Sequence, residues 1–263
     1  MPADGWPSSC YLLEAAGERV LFDCGPGAAT ALSKYVAPSE LSAVFLSHRH
    51  LDHCFDLVVV GKQLLYASLA SDGADVRRVP LYVPVGVGDV LRRLNHVLPI
   101  GDVPESNLDN VFDTAFALVE YEPGEALVCG PIEVTPVAMR HRIPSHGFRA
   151  VMPDGRVFAF SGDTGPTPAF DTLAGRADLL LCEATLDHAD AWGDGHMSAA
   201  EAGAAAGHAG VRELVLTHLI SSEPSWIAAQ RAAAAEHFGG PIYVATPGAQ
   251  FLVAPFPSPA QEA

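Results

Sequence analysis

An α/β fold is what this sequence predicts, on three observations. Short apolar runs of strand length recur from one end to the other, each bounded by Gly, Pro, Asp or His. Segments that fit helices fall between them. The 263 residues, 49% hydrophobic and 17% charged, suit a folded globular chain long enough for a full core. No linker divides the sequence, so 1–263 reads as one domain, with 253–263 as a frayed tail.

Strands are expected near Cys10–Glu14, Arg19–Asp23, Ala43–Ser47, Leu81–Val83, Ile132–Ala138, Phe148–Met152, Val157–Ser161, Leu179–Glu183, Glu213–Thr217, Ile242–Ala245 and Phe251–Val253. The segment FRAVMPDGRVFAF is the clearest hairpin, because Pro153-Asp154-Gly155 is turn chemistry between two strand-like runs. Helices fit Ala28–Tyr35, Phe55–Leu69, Val87–His96, Ala199–Ala209 and Ser225–Phe238. Ser198, with Glu201 three residues later, reads as a capping box. The alanine-rich AAEAGAAAGHAG is read as helix with a glycine stop.

The residues just past the strands carry the chemistry. AVFLS leads into His48, VTPVAMR into His141, RVFAFSG into Asp163 and ELVLT into His218. Strand ends line the site crevice of α/β sheets, so four such junctions point to one place. FLSHRHLDHC adds His50, Asp52 and His53. Imidazole and carboxylate suit Zn, Mn or Fe, and the set exceeds the four ligands of one tetrahedral zinc. It suits two divalent ions: His48, His50 and His141 on one, Asp52, His53 and His218 on the other, Asp163 between them. A hydroxide held by such a pair is a nucleophile at neutral pH. His146 competes with His141 for the first site, and spacing from Pro144 and Gly147-Phe148-Arg149 favours His141. Arg149 is read as a structural ion-pair partner with a phosphate contact as the alternative. His96, His188, His208 and His237 are read as surface residues, Met139 and Phe148 as core, and Cys54 as a small apolar group.

Fifteen Lys and Arg against 31 Asp and Glu give a net charge of −16. That field repels polyanions, so a small substrate is favoured over a long nucleic acid. The longest apolar runs are far short of a membrane span. No export signal is visible at MPADGWPSSC, and five scattered cysteines without CxxC spacing read as reduced thiols in a cytoplasmic protein.

HxHxDH after a strand, then a single His, an SGDT aspartate and a late LTH, resembles the metallo-β-lactamase superfamily. HRIPSHGFR, FSGDT, CEATL, HMSAAEAG and LVLTH resemble its ribonuclease Z-like, small-substrate phosphodiesterase branch. The likeness runs from Cys10 to about Phe251. It implies a four-layer αββα sandwich with a binuclear metal site along one edge. The seven ligand candidates fall on the family's metal positions, and Asp52 is counted with the catalytic residues as well. His196 falls where the branch has a histidine near the scissile phosphate, Glu183 on the acid that orients it, and Asp23 on a residue that supports the metal loop. The resemblance implies a further strand and a Gly-rich loop upstream, so either the start is misassigned or the sheet lacks its first strand. The span from His141 to Asp163 is too short for the tRNA-grasping arm of true ribonuclease Z. Arg49 and Leu51 fill the variable positions of HxHxDH. A homodimer is implied by the family alone.

The reading is thus a metal-dependent hydrolase, Zn favoured, cleaving a small phosphodiester such as a cyclic nucleotide; the phosphodiesterase resemblance implies that this substrate is anionic. The rivals are a lactone, thioester or β-lactam hydrolase on the same site, a tRNA 3′-processing endonuclease, and a non-catalytic metal-binding protein.

Overall fold

Ala16 and Gly17 both have positive φ, the geometry of a two-residue type I′ turn, and they fold the start of the chain into a hairpin. Its strands are β1 (Tyr11–Ala15) and β2 (Glu18–Phe22), in register from Ala15–Glu18 to Tyr11–Phe22. The computed structural model describes residues 5–69, 77–98, 110–189 and 195–255. They fall into two units, Met1–Glu125 and Ala126–Ala263.

In the first unit, the hairpin is followed by α1 (Ala28–Leu32), β3 (Ala43–Phe45), α2 (Leu51–Cys54) and α3 (Leu57–Leu69). Then come β4 (Val79–Pro84), α4 (Val87–Val97), α5 (Val111–Thr114) and β5 (Phe116–Tyr121). The sheet runs β1-β2-β3-β4-β5 and is parallel from β2 onward. Parallel strands need crossovers, which the intervening helices supply. Val44, Leu46, Leu81, Val83 and Phe116 anchor its core.

The second unit holds β6 (Leu127–Cys129), β7 (Ile132–Met139), β8 (Ser145–Val151), β9 (Val157–Phe160), α6 (Phe170–Ala174) and β10 (Leu179–Glu183). It ends with α7 (Ala199–Ala209), β11 (Glu213–Thr217), α8 (Pro224–Ala235) and β12 (Ile242–Val244). The order is β12-β11-β10-β9-β8-β7-β6, parallel from β9 to β12 and antiparallel from β9 to β6. Strands β9 and β10 are buried at every position, as parallel strands covered on both faces should be.

The expected hairpin is β8–β9, closed by the Met152–Arg156 backbone bond. Ser198 and Glu201 form the capping box. Three expectations are corrected. The run Phe251–Val253 is not a strand: Leu252 is 74% exposed, and the segment is held by contacts such as Arg156 to the Val253 carbonyl rather than by a ladder. Strands β5 and β6 were not expected; β5 shows no strict alternation in its burial, and β6 has only three residues. The helix expected from Phe55 starts earlier and in two pieces, α2 and α3. Among the described residues, no helix is long and apolar enough to cross a membrane.

Candidate metal centre and acid pair

In the first unit, the loop after β3 carries His48, His50, Asp52 and His53, with α2 beginning inside the motif. A second loop, after β2, holds it in place. Asp23 is fully buried, with φ of 59°, a left-handed conformation that a non-glycine residue adopts at a cost of roughly 1–3 kcal/mol. Its Oδ1 accepts from the Ser47 amide at 2.7 Å. Its Oδ2 accepts from the Ser47 hydroxyl at 2.8 Å and from His53 Nδ1 at 2.7 Å. The Cys24 amide donates to the His53 carbonyl at 2.6 Å. Gly25 lies against the Asp52 backbone so closely that a Cβ there would stand 1.9 Å from the carbonyl oxygen. Asp56 Oδ2 accepts from the Ala29 amide at 3.0 Å.

These bonds set the imidazoles. The Ser47 proton goes to the Asp23 carboxylate, so Ser47 Oγ accepts from His48 Nδ1 at 2.9 Å. His53 likewise gives its Nδ1–H to Asp23. Both rings are left with Nε2 as the lone pair, and His48 Nε2 stands 3.0 Å from His50 Nδ1. His53 Nε2 is 4.0 Å from Asp52 Oδ2. Burial, then the charge of Asp23, pushes the thiols of Cys10 and Cys54 up to about 12, so neither is a thiolate at neutral pH. Cys54 packs in the core, as expected.

In the second unit, His141 follows β7, Asp163 follows β9 and His218 follows β11, as the strand-end pattern predicts. His141 Nδ1 donates to the Gly195 carbonyl at 2.6 Å. His218 Nε2 is 3.5 Å from Asp163 Oδ1. Ligand atoms of Asp163, His196 and His218 all lie within 4.8 Å of one another. Glu183, at the end of β10, is 1% exposed; it accepts from His196 Nδ1 at 3.0 and 3.2 Å and from the Met197 amide at 3.2 Å. The His196 ring stacks on His218 with centroids 5.7 Å apart and meets His141 edge-on at 5.1 Å. Burial alone pulls the His196 pKa down, but the hydrogen bond to Glu183 and the charges of Glu183 and Asp163 outweigh it and hold it above its ordinary value. His196 Nδ1 therefore faces carboxylates as a proton donor, as His53 Nδ1 does toward Asp23.

His146 lies inside β8, paired with Ala138 and buried, whereas His141 stands at the turn. Arg149 donates to the Leu173 carbonyl at 3.2 Å rather than forming a close ion pair, and burial lowers its pKa against the opposing charge of Asp178. His96, His188, His208 and His237 are exposed, and Met139 and Phe148 are core. Ser47 and Thr185, which grip the rings of His48 and His218, went unread in the sequence. The only available signal was their place beside a ligand candidate or in the CEAT motif.

Residues 18–219 match the family model for the beta-lactamase superfamily domain. A probable metallo-hydrolase, YhfI of Bacillus subtilis, is 30% identical over 83% of this chain and 82% of its own. A ribonuclease Z of Mycobacterium bovis is 32% identical over 89% of this chain and 87% of its own. The crystal structure of the metallo-beta-lactamase fold protein YhfI matches with a TM-score of 0.80 at 26% identity, covering 95% of this chain and 93% of that one. The chain therefore has the metallo-β-lactamase fold and belongs to the β-lactamase superfamily, as a hydrolase whose His and Asp clusters suit divalent metal.

Proposed function

We propose that this protein is a metal-dependent phosphodiesterase that cleaves a small phosphodiester, such as a cyclic nucleotide. The observation that carries the reading is the Glu183–His196 pair, with His196 Nδ1 3.0 Å from the carboxylate and its ring stacked on that of His218. A leaving alkoxide needs a proton, and an imidazole whose pKa is held above its ordinary value by a carboxylate is a suitable source.

In this reading the His and Asp candidates would hold two divalent ions. His48, His50 and His141 would take one and Asp52, His53 and His218 the other, with Asp163 as a further ligand; zinc is favoured, with Mn or Fe compatible with the same donors. The fit rests on the donors themselves: His48, His53, His141 and His218 each commit Nδ1 to an acceptor of the chain, leaving Nε2 for a cation. Such ions supply Lewis acidity toward a phosphoryl group and lower the pKa of water. The chain does the rest. Glu183 accepts from His196 Nδ1 and so orients the ring, and His196 would give the proton on Nε2 to the departing oxygen. The span from His141 to Asp163 is filled by β8, a tight turn and β9, which supports a small substrate over tRNA. The protein is read as a cytoplasmic single domain, and the homodimer stays an inference from the family.

Hydrolysis of bis-p-nitrophenyl phosphate by metal-reconstituted protein tests the reading, with Asp163→Ala as control. Turnover in the wild type that vanishes in the variant is the expected result. Two bound metals without turnover would move the assignment to lactones and thioesters, where attack is on carbon and His196 is less needed.

A further inference from the structure

Thr185 follows β10 and is 4% exposed. Its hydroxyl contacts one residue twice: the His218 carbonyl oxygen at 3.0 Å and His218 Nδ1 at 2.7 Å. A hydroxyl has one proton to give. A carbonyl oxygen can only accept, so the proton goes there, and Thr185 Oγ1 must accept from Nδ1–H. The opposite assignment would set two oxygen lone pairs against each other at 3.0 Å. His218 is thereby held as the Nδ1–H tautomer, with the lone pair on Nε2. That is the nitrogen 3.5 Å from Asp163 Oδ1.

The same hydroxyl fixes the backbone. His218 has φ of 56°, which a β-carbon makes unfavourable, and no glycine is there to relieve it. One oxygen that binds both the carbonyl and the ring of this residue ties the unusual backbone to the ring's direction. Threonine would not be needed for packing alone, since valine has nearly the same shape.

We infer that Thr185 is a positioning residue, one that selects the tautomer of His218 and aims Nε2 at a divalent cation. The inference rests on the metal-centre reading above. Outer partners of this kind commonly change metal affinity by about 10- to 100-fold.

The test compares Thr185→Val, which keeps the shape and removes the hydroxyl, with Thr185→Ser, which keeps the hydroxyl. Zinc affinity is measured by competition with a chromophoric chelator, and the His218 tautomer by nitrogen-15 NMR of the metal-free protein. Thr185→Val is expected to weaken one of the two zinc ions about 10- to 100-fold and to mix the tautomers, while Thr185→Ser keeps both properties. Wild-type affinity and tautomer in Thr185→Val would overturn the inference, as would an equal loss in Thr185→Ser, which would make the methyl group responsible. Should Thr185→Val not fold, Thr185→Ala removes the hydroxyl without adding a metal-binding group, and the same outcomes apply. A wild-type protein that binds no zinc would sink the metal-centre reading instead, and the NMR arm would still decide whether Thr185 sets the ring.

Discussion

His196 shows how little of a residue's role lies in the residue itself. Four other histidines of this chain are exposed and take no part in the site, while His196 is made a proton donor by its surroundings. Glu183 brings a buried negative charge, held by the Met197 amide as well as by the ring, so the carboxylate is fixed before any substrate arrives. Glu183→Gln keeps the shape and a hydrogen-bonding oxygen but removes the charge. Turnover of a phosphodiester is expected to fall about 10²- to 10⁴-fold, with metal per chain unchanged. Parallel loss of metal would make Glu183 a scaffold for the ligands rather than the partner of an acid. The strand-end residues His48, His141, Asp163 and His218 were legible because an apolar run that ends in a ligand type is a pattern in one dimension. Ser47 and Thr185 were not, because a hydroxyl that decides a tautomer is known only by its two neighbours in space.

Helices α7 and α8 show why element type was easier to read than element contact. Their alanine content and the Ser198 capping box mark helix plainly, but nothing in the sequence explains Gly203 and Gly207 inside α7, where each costs roughly 1 kcal/mol relative to alanine. The reason is proximity. A Cβ on Gly203 would stand 2.4 Å from the Ala234 carbonyl oxygen of α8, and one on Gly207 would stand 2.7 Å from that of His237. Backbone packs on backbone here, and neither carbonyl is a flexible tip that can move aside. Gly203→Ala should therefore destabilise the fold by about 1–3 kcal/mol, although alanine is the better helix former. Urea unfolding would read this as a lower midpoint at constant slope. A rise in midpoint would mean that the helices separate at little cost. The same kind of contact explains Gly25 on the Asp52 carbonyl, and it escapes sequence reading for the same reason. Strand β5 escaped differently: Val119 and Glu120 are both exposed, so the strand lacks the regular alternation that marks a half-buried one.

Across the whole molecule, the −16 net charge sets a condition that the site chemistry does not. A ribonuclease Z and a probable metallo-hydrolase are both relatives at similar identity, so family alone does not choose between a long RNA and a small ester. Charge does. Long RNA binds largely through Lys and Arg contacts to phosphate, and this chain has 15 such residues against 31 acids. Bound divalent ions would offset the repulsion only near the site, because fields decay over a Debye length of about 8 Å at physiological salt. A substrate with one phosphodiester fits inside that local region; a tRNA spreads its charge well beyond it. Added tRNA precursor should therefore leave bis-p-nitrophenyl phosphate turnover unchanged, even at low salt where attraction would be strongest. Inhibition that fades as salt is raised would reveal a basic path for the polyanion and return the endonuclease to first place. Inhibition that persists at high salt would have another origin, such as removal of metal by the RNA, and restoring it with added zinc would show that.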